Sequence, residues 1–155
     1  MTLITEDVAA FAAAVQGRGR LLSLDVGDRT IGMAVADDAW TFASPVRTLH
    51  RTKFTADTNE LLQYADVERI VGFVIGLPLH MDGTGGKRVQ STRAFALNLS
   101  RRNDRPTLLH DERLSTFEAH ERKPQAAAGG KRVDDLAATV ILEDALRALR
   151  QASAD

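Results

Sequence analysis

Residues 21–36 read LLSLDVGDRTIGMAVA, and this stretch decides the fold. Residues 21–26 and 30–36 are apolar runs of strand length, and the Gly27-Asp28 pair between them is a turn signal. The stretch therefore predicts a β-hairpin. Asp25 lies inside the first run, although aspartate is depleted in strands and an unpaired buried carboxylate is costly. Asp25 needs a cation or several donors there, unless it is partly exposed and bonded to the following turn.

Beyond the hairpin, strand and helix patterns alternate along the chain. Pro45 limits the strand over 42–49 to a short or edge strand, and the continuous apolar run over 70–77 is typical of a strand covered on both faces. The pattern adds a short strand over 107–110 and helices over 55–64, 87–102 and 134–150. A capping box predicts a further helix that begins at Ser115. This order predicts an α/β fold with a sheet of mixed direction.

The length of 155 residues predicts one main domain. Residues 5–15 are rich in alanine and predict a short helix, which Gly17 and Gly19 end. We therefore expect residues 1–19 to form an N-terminal helical appendage, residues 20–150 the main domain, and residues 151–155 a tail.

The composition excludes several classes of protein. The chain has no cysteine, which rules out thiolate zinc sites and cysteine nucleophiles and fits a reducing compartment. The four histidines show no HxH or HxxxH spacing, so a zinc site is not expected. The first twenty residues do not resemble a secretory signal, and no apolar run approaches the roughly 20 residues of a membrane span. We expect a cytoplasmic protein.

Charge is unevenly distributed along a chain whose net charge is -1. Between Thr84 and Arg132 there are eleven lysines and arginines but only five acidic residues. Such an excess suits a polyanionic partner such as nucleic acid, although a solvated surface with clustered charge would look the same.

Two further carboxylates lie at predicted element ends. Glu112, next to Asp111, follows a strand, and strand C-termini of α/β sheets are where ligands gather. Asp134, next to Asp135, opens the last helix, where aspartate is also a favoured N-cap. Carboxylates that converge repel one another unless a cation neutralises them, and all-oxygen sites select Mg²⁺ or Mn²⁺. Such a site suits attack of water on a phosphodiester.

Five motifs together resemble the YqgF family, also called RuvX, of the RNase H-like superfamily. The match spans about residues 20–146 and consists of LDVGDRTIGMAV (24–35), SP (44–45), IGLPLHMDGT (75–84), HDERLST (110–116), and VDDLAA (133–138) with ILE (141–143). The order of the motifs along the chain makes the resemblance specific, because a single DxG motif is common.

The resemblance implies an RNase H-like fold with a mixed five-stranded sheet, antiparallel over its first three strands and parallel beyond, flanked by helices. It implies a metal-dependent nuclease acting in maturation of the small-subunit (16S) ribosomal RNA precursor or in Holliday junction resolution and DNA repair. Its partners would be RNA or branched or single-stranded DNA, and a homodimer is a further possibility.

By motif, the catalytic carboxylates that would bind Mg²⁺ or Mn²⁺ are Asp25, Glu112 and Asp134, with Asp111 and Asp135 as runners-up. Candidates for substrate contact are Arg29, Lys87, Arg88, Arg93, Arg113, Ser115 and Thr116. Arg113 is placed by its motif either to contact phosphate or to steady the carboxylates.

Two other classes of function compete with the nuclease. The segment from Asp25 to Thr30 also resembles the phosphate loop of actin-like ATPases, but those proteins need two such domains and this chain has room for one. A non-catalytic nucleic-acid-binding partner of the ribosome or transcription machinery would use the basic middle of the chain. That alternative leaves an aspartate within the first strand of the hairpin without a role.

Overall fold

The computed structural model describes residues 2–79, 85–112 and 133–154, without the side chains of residues 133–135 and 154. The helix predicted from Ser115 lies outside these residues. The described strands are β1 (Ile4–Thr5), β2 (Leu21–Val26), β3 (Thr30–Ala36), β4 (Ala43–His50), β5 (Gly72–Leu77) and β6 (Thr107–Asp111). The described helices are α1 (Val8–Ala14), α2 (Phe54–Val67), α3 (Lys87–Ser100) and α4 (Val133–Ala154).

The strands form one mixed sheet in the order β1-β6-β5-β2-β3-β4. The pairs β2–β3 and β3–β4 are antiparallel, whereas β2–β5, β5–β6 and β1–β6 are parallel. The predicted α/β class and the mixed direction of the sheet are therefore confirmed. Pro45 lies in the edge strand β4, where a missing N–H costs least.

The sheet has six strands rather than the predicted five. The additional strand is β1, in which Ile4 and Thr5 pair with Thr107 and Leu108 of β6. Two residues are too few to show the period-two alternation that reveals a strand. α1 begins after this strand, where the Asp7 side chain accepts hydrogen bonds from the N–H groups of Ala9 and Ala10.

Helices cover both faces of the sheet. α1 and α4 pack on one face, in a core that includes Phe11, Leu21, Val74, Ile141 and Leu146. α2 and α3 pack on the other, in a core that includes Leu24, Leu61, Phe73, Phe95 and Leu109. Among the helices of the described ranges, none combines the length and the apolar character needed to cross a membrane.

Two opposite ends of the sheet differ in what they carry. Strands β2, β5 and β6 run parallel, so their C-terminal residues gather at one end, which we call the Asp25 end. Their N-terminal residues gather at the other, which we call the Phe11 end because the fully buried ring of Phe11 lies against Gly72 there. A Cβ atom at Gly72 would lie only 2.8 Å from Cζ of Phe11. The candidate functional residues lie at the Asp25 end.

Candidate active site

Asp25 lies near the C-terminal end of β2, and its side chain is 13% exposed. By the two-residue alternation of a strand it shares a face with Ser23. The Ser23 hydroxyl donates to the carbonyl of Ala138 in α4 at 2.8 Å, so this face looks onto α4. Nη2 of Arg88, in the first turn of α3, donates to Oδ1 of Asp25 at 3.2 Å. Asp25 is thus partly buried, and a cationic side chain bonds to it.

Glu112 directly follows β6, one strand away from Asp25 across β5. Its Oε2 atom is buried and has no hydrogen-bond partner among the described residues. A Cβ atom at Gly76 of β5 would lie 3.3 Å from this oxygen and 2.5 Å from Cδ1 of Ile141. The glycine therefore leaves the room that the Glu112 carboxylate occupies. Ile141 belongs to α4, so Glu112 lies on the same face of the sheet as Asp25.

Asp111, the alternative to Glu112, belongs to the opposite face. Leu109 packs in the core under α2 and α3, and a residue two positions further along a strand projects to the same side. Asp111 also has an interaction partner of its own. The geometry favours Glu112 over Asp111 as the neighbour of Asp25.

The third predicted ligand, Asp134, lies in the first turn of α4, and Asp135 follows it. Ala138, one turn further on, is the residue bonded to Ser23, two positions before Asp25. Ser153, near the C-terminal end of the helix, lies beside Gly17, which precedes β2. The helix therefore begins at the Asp25 end. The side chains of both aspartates lie outside the described part. Among the groups that are described, no three acidic or histidine side chains converge closely enough to hold a metal ion.

A buried hydrogen-bonded pair beside the site was not predicted from the sequence. Nε2 of His110 lies 2.8 Å from Oδ2 of Asp144 in α4, and these side chains are 2% and 6% exposed. Arg147 donates to the other oxygen of Asp144 at 3.4 Å. This pair ties the end of β6 to α4. One signal was available, because Asp144 interrupts the apolar face formed by Ile141 and its neighbours in α4.

The carboxylates of the core differ in how their oxygens are satisfied. Asp144 has two cationic or potentially cationic partners, and Asp57 accepts from the N–H and the hydroxyl of Thr52. Buried polar atoms are normally paired in this way. Among the buried carboxylate oxygens, Oε2 of Glu112 is the exception, because it has no hydrogen-bond partner in the described part of the chain, and such an oxygen at a polar sheet end fits a cation ligand.

The predicted substrate-contact residues fall into three groups. Arg29, Lys87 and Arg88 are exposed, in the turn after Asp25 or the first turn of α3. Arg93 instead pairs with Glu6 at 3.4 Å, next to the edge strand β1. The remaining candidates, Arg113, Ser115 and Thr116, lie outside the described residues.

Part of the predicted basic excess is engaged within the chain. Arg102 donates to Thr58 and Asn59, and Arg105 bonds to Asp66 and to the carbonyl of Ile70. These contacts anchor the loop after α3 to α2 and to the start of β5. Of the described candidates for substrate contact, Arg29, Lys87 and Arg88 are therefore the ones placed to contact a polyanion at the Asp25 end.

The sheet order and the helices on both faces define an RNase H-like α/β fold, shared with RuvC. A structure described as "T. thermophilus RuvC in complex with Holliday junction substrate" matches with a TM-score of 0.60 at 12% identity, covering 86% of this chain and 96% of that one. A second, described as "Thermus thermophilus RuvC structure", matches with a TM-score of 0.56 at 10% identity, covering 84% and 96%. At these identities the likeness concerns the fold alone.

The chain belongs to the RuvX family, whose model, described as "Holliday junction resolvase", matches residues 19–148. A relative from Paracoccus denitrificans named "Putative pre-16S rRNA nuclease" is 45% identical over 152 residues, covering 96% of each chain. One of the same name from Sphingopyxis alaskensis is 46% identical over 152 residues, covering 95% of this chain and 99% of its own. The predicted family is confirmed, and with it the nuclease class of the chain.

Proposed function

We propose that this chain is a divalent-metal-dependent nuclease that processes the 5′ end of the 16S ribosomal RNA precursor. Asp25, Glu112 and Asp134 would hold Mg²⁺ or Mn²⁺. The observation that carries the proposal is the buried Oε2 atom of Glu112, which lacks a partner among the described residues and lies across Gly76 from β2. The names of the relatives support the substrate.

The donor set fits a hard cation. Carboxylate oxygens are the preferred ligands of Mg²⁺ and Mn²⁺. The contact of Asp25 with the Arg88 guanidinium supports the view that positive charge is favourable next to this carboxylate. A bound divalent ion activates water and stabilises charge on a phosphodiester. In this chain, Asp25 and Glu112 lie at the same end of the sheet, on strands β2 and β6 that flank β5, and Asp134 lies in the first turn of α4 at that end. Asp111 and Asp135 remain the runners-up.

Nucleic acid would approach the exposed cations around this end. Arg29, Lys87 and Arg88 are exposed next to Asp25 or bonded to it, which supports contact with phosphates. The motif alone supports Arg113, Ser115 and Thr116 as candidates for phosphate contact. Arg93 is a weaker candidate, because its side chain pairs with Glu6.

The test is a cleavage assay with Mn²⁺ or Mg²⁺ on three end-labelled substrates: a 16S precursor fragment spanning the mature 5′ end, a four-way DNA junction, and single-stranded DNA. We expect cleavage of the precursor. Asp25→Asn and Asp134→Asn should each reduce the rate at least about 100-fold, beyond the 10- to 100-fold typical of outer-shell partners of a metal. Circular dichroism and thermal unfolding should show that both variants fold.

Asp66→Asn is the matched control, because it removes one carboxylate charge from an exposed side chain that pairs with Arg105 away from the site. Its cleavage rate should equal that of the wild type. If pure wild-type protein cuts none of the substrates with either metal, the nuclease proposal fails. Retained nucleic-acid binding would then favour a non-catalytic partner of the ribosome or transcription machinery.

A second candidate function is cleavage of Holliday junctions, which the description of the family model and the RuvC fold favour. A junction presents two symmetric strands and requires two active sites, so this function predicts a homodimer, whereas RNA processing does not. Light scattering alongside the junction assay separates them: a monomer that cuts only the precursor excludes junction resolution.

We also propose that the protein acts in the cytoplasm, where ribosomal RNA is processed and where a chain without cysteine fits. We keep the division into an N-terminal segment of residues 1–19, a nuclease domain of residues 20–150 and a tail of residues 151–155. The family match over 19–148 supports this division. In the structure, Phe11 of the first segment belongs to the core under α4.

A further inference from the structure

We propose that Arg88 is an exchangeable counter-ion of the active site. It neutralises Asp25 while no metal is bound, gives way when a divalent cation binds, and then donates to a phosphate of the nucleic acid. This inference rests on the proposed function, since it requires a metal at Asp25. It assigns Arg88 two alternating partners rather than phosphate contact alone.

The backbone of Arg88 is held in place, whereas its guanidinium group is exposed. Its neighbours in α3, Val89, Thr92 and Phe95, are buried, so the helix is held in place against the sheet. The Arg88 side chain is nevertheless 55% exposed, whereas that of Asp25 is 13% exposed. The ion pair therefore lies at the boundary between the sheet and solvent, where a nucleic acid would arrive.

The geometry of this ion pair is that of a loose contact. Within the described part of the chain, the Arg88 guanidinium makes one hydrogen bond, at 3.2 Å. Arg105 shows how a structural arginine differs: its Nε donates to the carbonyl of Ile70 at 2.7 Å, its Nη2 to Asp66 at 2.6 Å, and it is 19% exposed. A guanidinium has five N–H donors and suits phosphate oxygens, so Arg88 can change partner by turning its side chain.

Arg88 and a divalent cation would compete for the same carboxylate, that of Asp25. A divalent cation held by Asp25 would repel the guanidinium and would compete with it for the carboxylate. Metal binding and the Arg88–Asp25 contact are therefore opposed, and by linkage each weakens the other by the same factor. Once displaced from Asp25 by the metal, the Arg88 guanidinium can donate to a phosphate of the nucleic acid.

The first test measures Mn²⁺ affinity without nucleic acid, by the electron paramagnetic resonance signal of free Mn²⁺. Arg88→Gln should bind Mn²⁺ about 3- to 10-fold more tightly than the wild type, the range expected from removing one weakly paired charge near the site. Arg88→Lys keeps the charge and should stay within twofold of the wild type. Arg47→Gln is the matched control, because Arg47 is 49% exposed and pairs with Glu60 away from the site.

Equal or weaker Mn²⁺ binding by Arg88→Gln would overturn the inference while leaving the metal site intact. A wild type that binds no Mn²⁺, or binds it equally well as Asp25→Asn, would overturn the proposed metal site itself. The two failures are therefore distinguishable.

The second test measures the binding of a fluorescent single-stranded RNA 12-mer by anisotropy, in EDTA so that no metal and no cleavage interfere. Asp25→Asn should raise RNA affinity about 3- to 10-fold, because it frees Arg88 and removes a negative charge. The double variant Asp25→Asn/Arg88→Gln isolates the contribution of Arg88. If Asp25→Asn raises the affinity by the same factor with and without Arg88, the proposed hand-over to phosphate is wrong.

Discussion

The two ends of β5 carry a glycine each, on the same face of the same strand, and the glycines serve opposite purposes. At the Phe11 end, the space above Gly72 is filled by the ring of Phe11 and by Val15. At the Asp25 end, the space above Gly76 holds Ile141 and the orphaned oxygen of Glu112. One end is a closed apolar contact that stabilises the fold. At the other, Oε2 of Glu112 has no hydrogen-bond partner among the described residues, and a polar atom buried in this way lowers stability, as is typical of functional sites.

The carboxylates at the two ends show the same contrast. Asp37, in the turn after β3 near the Phe11 end, accepts hydrogen bonds from the N–H groups of Thr41 and Phe42 at 2.8 and 2.7 Å. Its charge is matched by local donors, whereas Oε2 of Glu112 has none within the described ranges. Substitutions at the two ends should therefore separate stability from activity.

The largest expected effect is at the Phe11 end. Phe11→Ala should lower the free energy of unfolding by about 3–5 kcal/mol, because it opens a cavity over Gly72 and under α4. Urea denaturation measures this loss. At temperatures where the variant is fully folded, its cleavage rate should match the wild type within a few-fold. A variant with wild-type stability would show that α1 does not contribute to the core.

The reverse result is expected for Glu112→Gln. Cleavage should fall at least about 100-fold, or roughly 2.7 kcal/mol of activation free energy. The free energy of unfolding should stay the same or rise, since an uncharged amide is cheaper to bury than a carboxylate whose Oε2 atom has no partner among the described residues. Single-turnover cleavage and urea denaturation measure the two quantities.

Asp144→Asn is the control for that substitution, because the buried Asp144 carboxylate is paired with His110 and Arg147. It should lower the free energy of unfolding by about 1.5–3 kcal/mol, as expected for a hydrogen bond to a charged group. If Glu112→Gln destabilises the protein as much as Asp144→Asn does, the Glu112 carboxylate is structural and the comparison of the two ends fails.

A matched pair of glycine substitutions gives the next largest effect. Gly72→Ala and Gly76→Ala should each cost about 1–3 kcal/mol of stability through overpacking, against Phe11 and Ile141 respectively. Gly76→Ala should in addition weaken Mn²⁺ binding, since its Cβ would press on Oε2 of Glu112. Isothermal titration with Mn²⁺ checks this, and equal Mn²⁺ affinities in the two variants would refute the distinction.

The smallest effect concerns pH and Asp37. Burial raises the pKa of Asp37, but the N–H groups of Phe42 and Thr41 outweigh it and hold the pKa below the ordinary 3.8. A depressed folded pKa stabilises the protein above the unfolded pKa, and this stabilisation is lost as the pH falls through the folded value. Asp37→Asn should therefore cost up to about 1 kcal/mol at neutral pH, after screening by solvent. Urea denaturation between pH 3 and about pH 7 should show the difference from the wild type shrinking below about pH 4.

Much of the fold could be predicted because its central elements leave strong patterns. The bounds of β2 and β3 agree with the apolar runs over 21–26 and 30–36. Elements that depend on distant partners were harder to predict, as β1 is, because its two residues pair with Thr107 and Leu108 about a hundred positions later in the chain. α4 continues four residues beyond the predicted end at 150, because the sequence there contains no glycine or proline to stop it.

Some residues of the candidate site could likewise be predicted from the sequence, and others could not. Asp25 is conspicuous in the sequence, since a strand interior disfavours aspartate. The motif ranked Glu112 above Asp111, but the physical reason for that order, the position of the Glu112 carboxylate beside Gly76, depends on the pairing of β6 with β5, which no local pattern contains. The pair of His110 and Asp144 joins residues 34 positions apart, so neither residue alone indicated the other.

The position of α4 late in the chain also bears on the timing of synthesis. A ribosome adds roughly 5–20 residues per second, so about one to four seconds separate the addition of Glu112 from that of Asp134. During that interval the sheet face with Leu21 and Val74 lacks the helix that buries it. A nascent chain at this stage therefore carries two of the three proposed ligands, and the proposed metal site is complete only after α4 has been added.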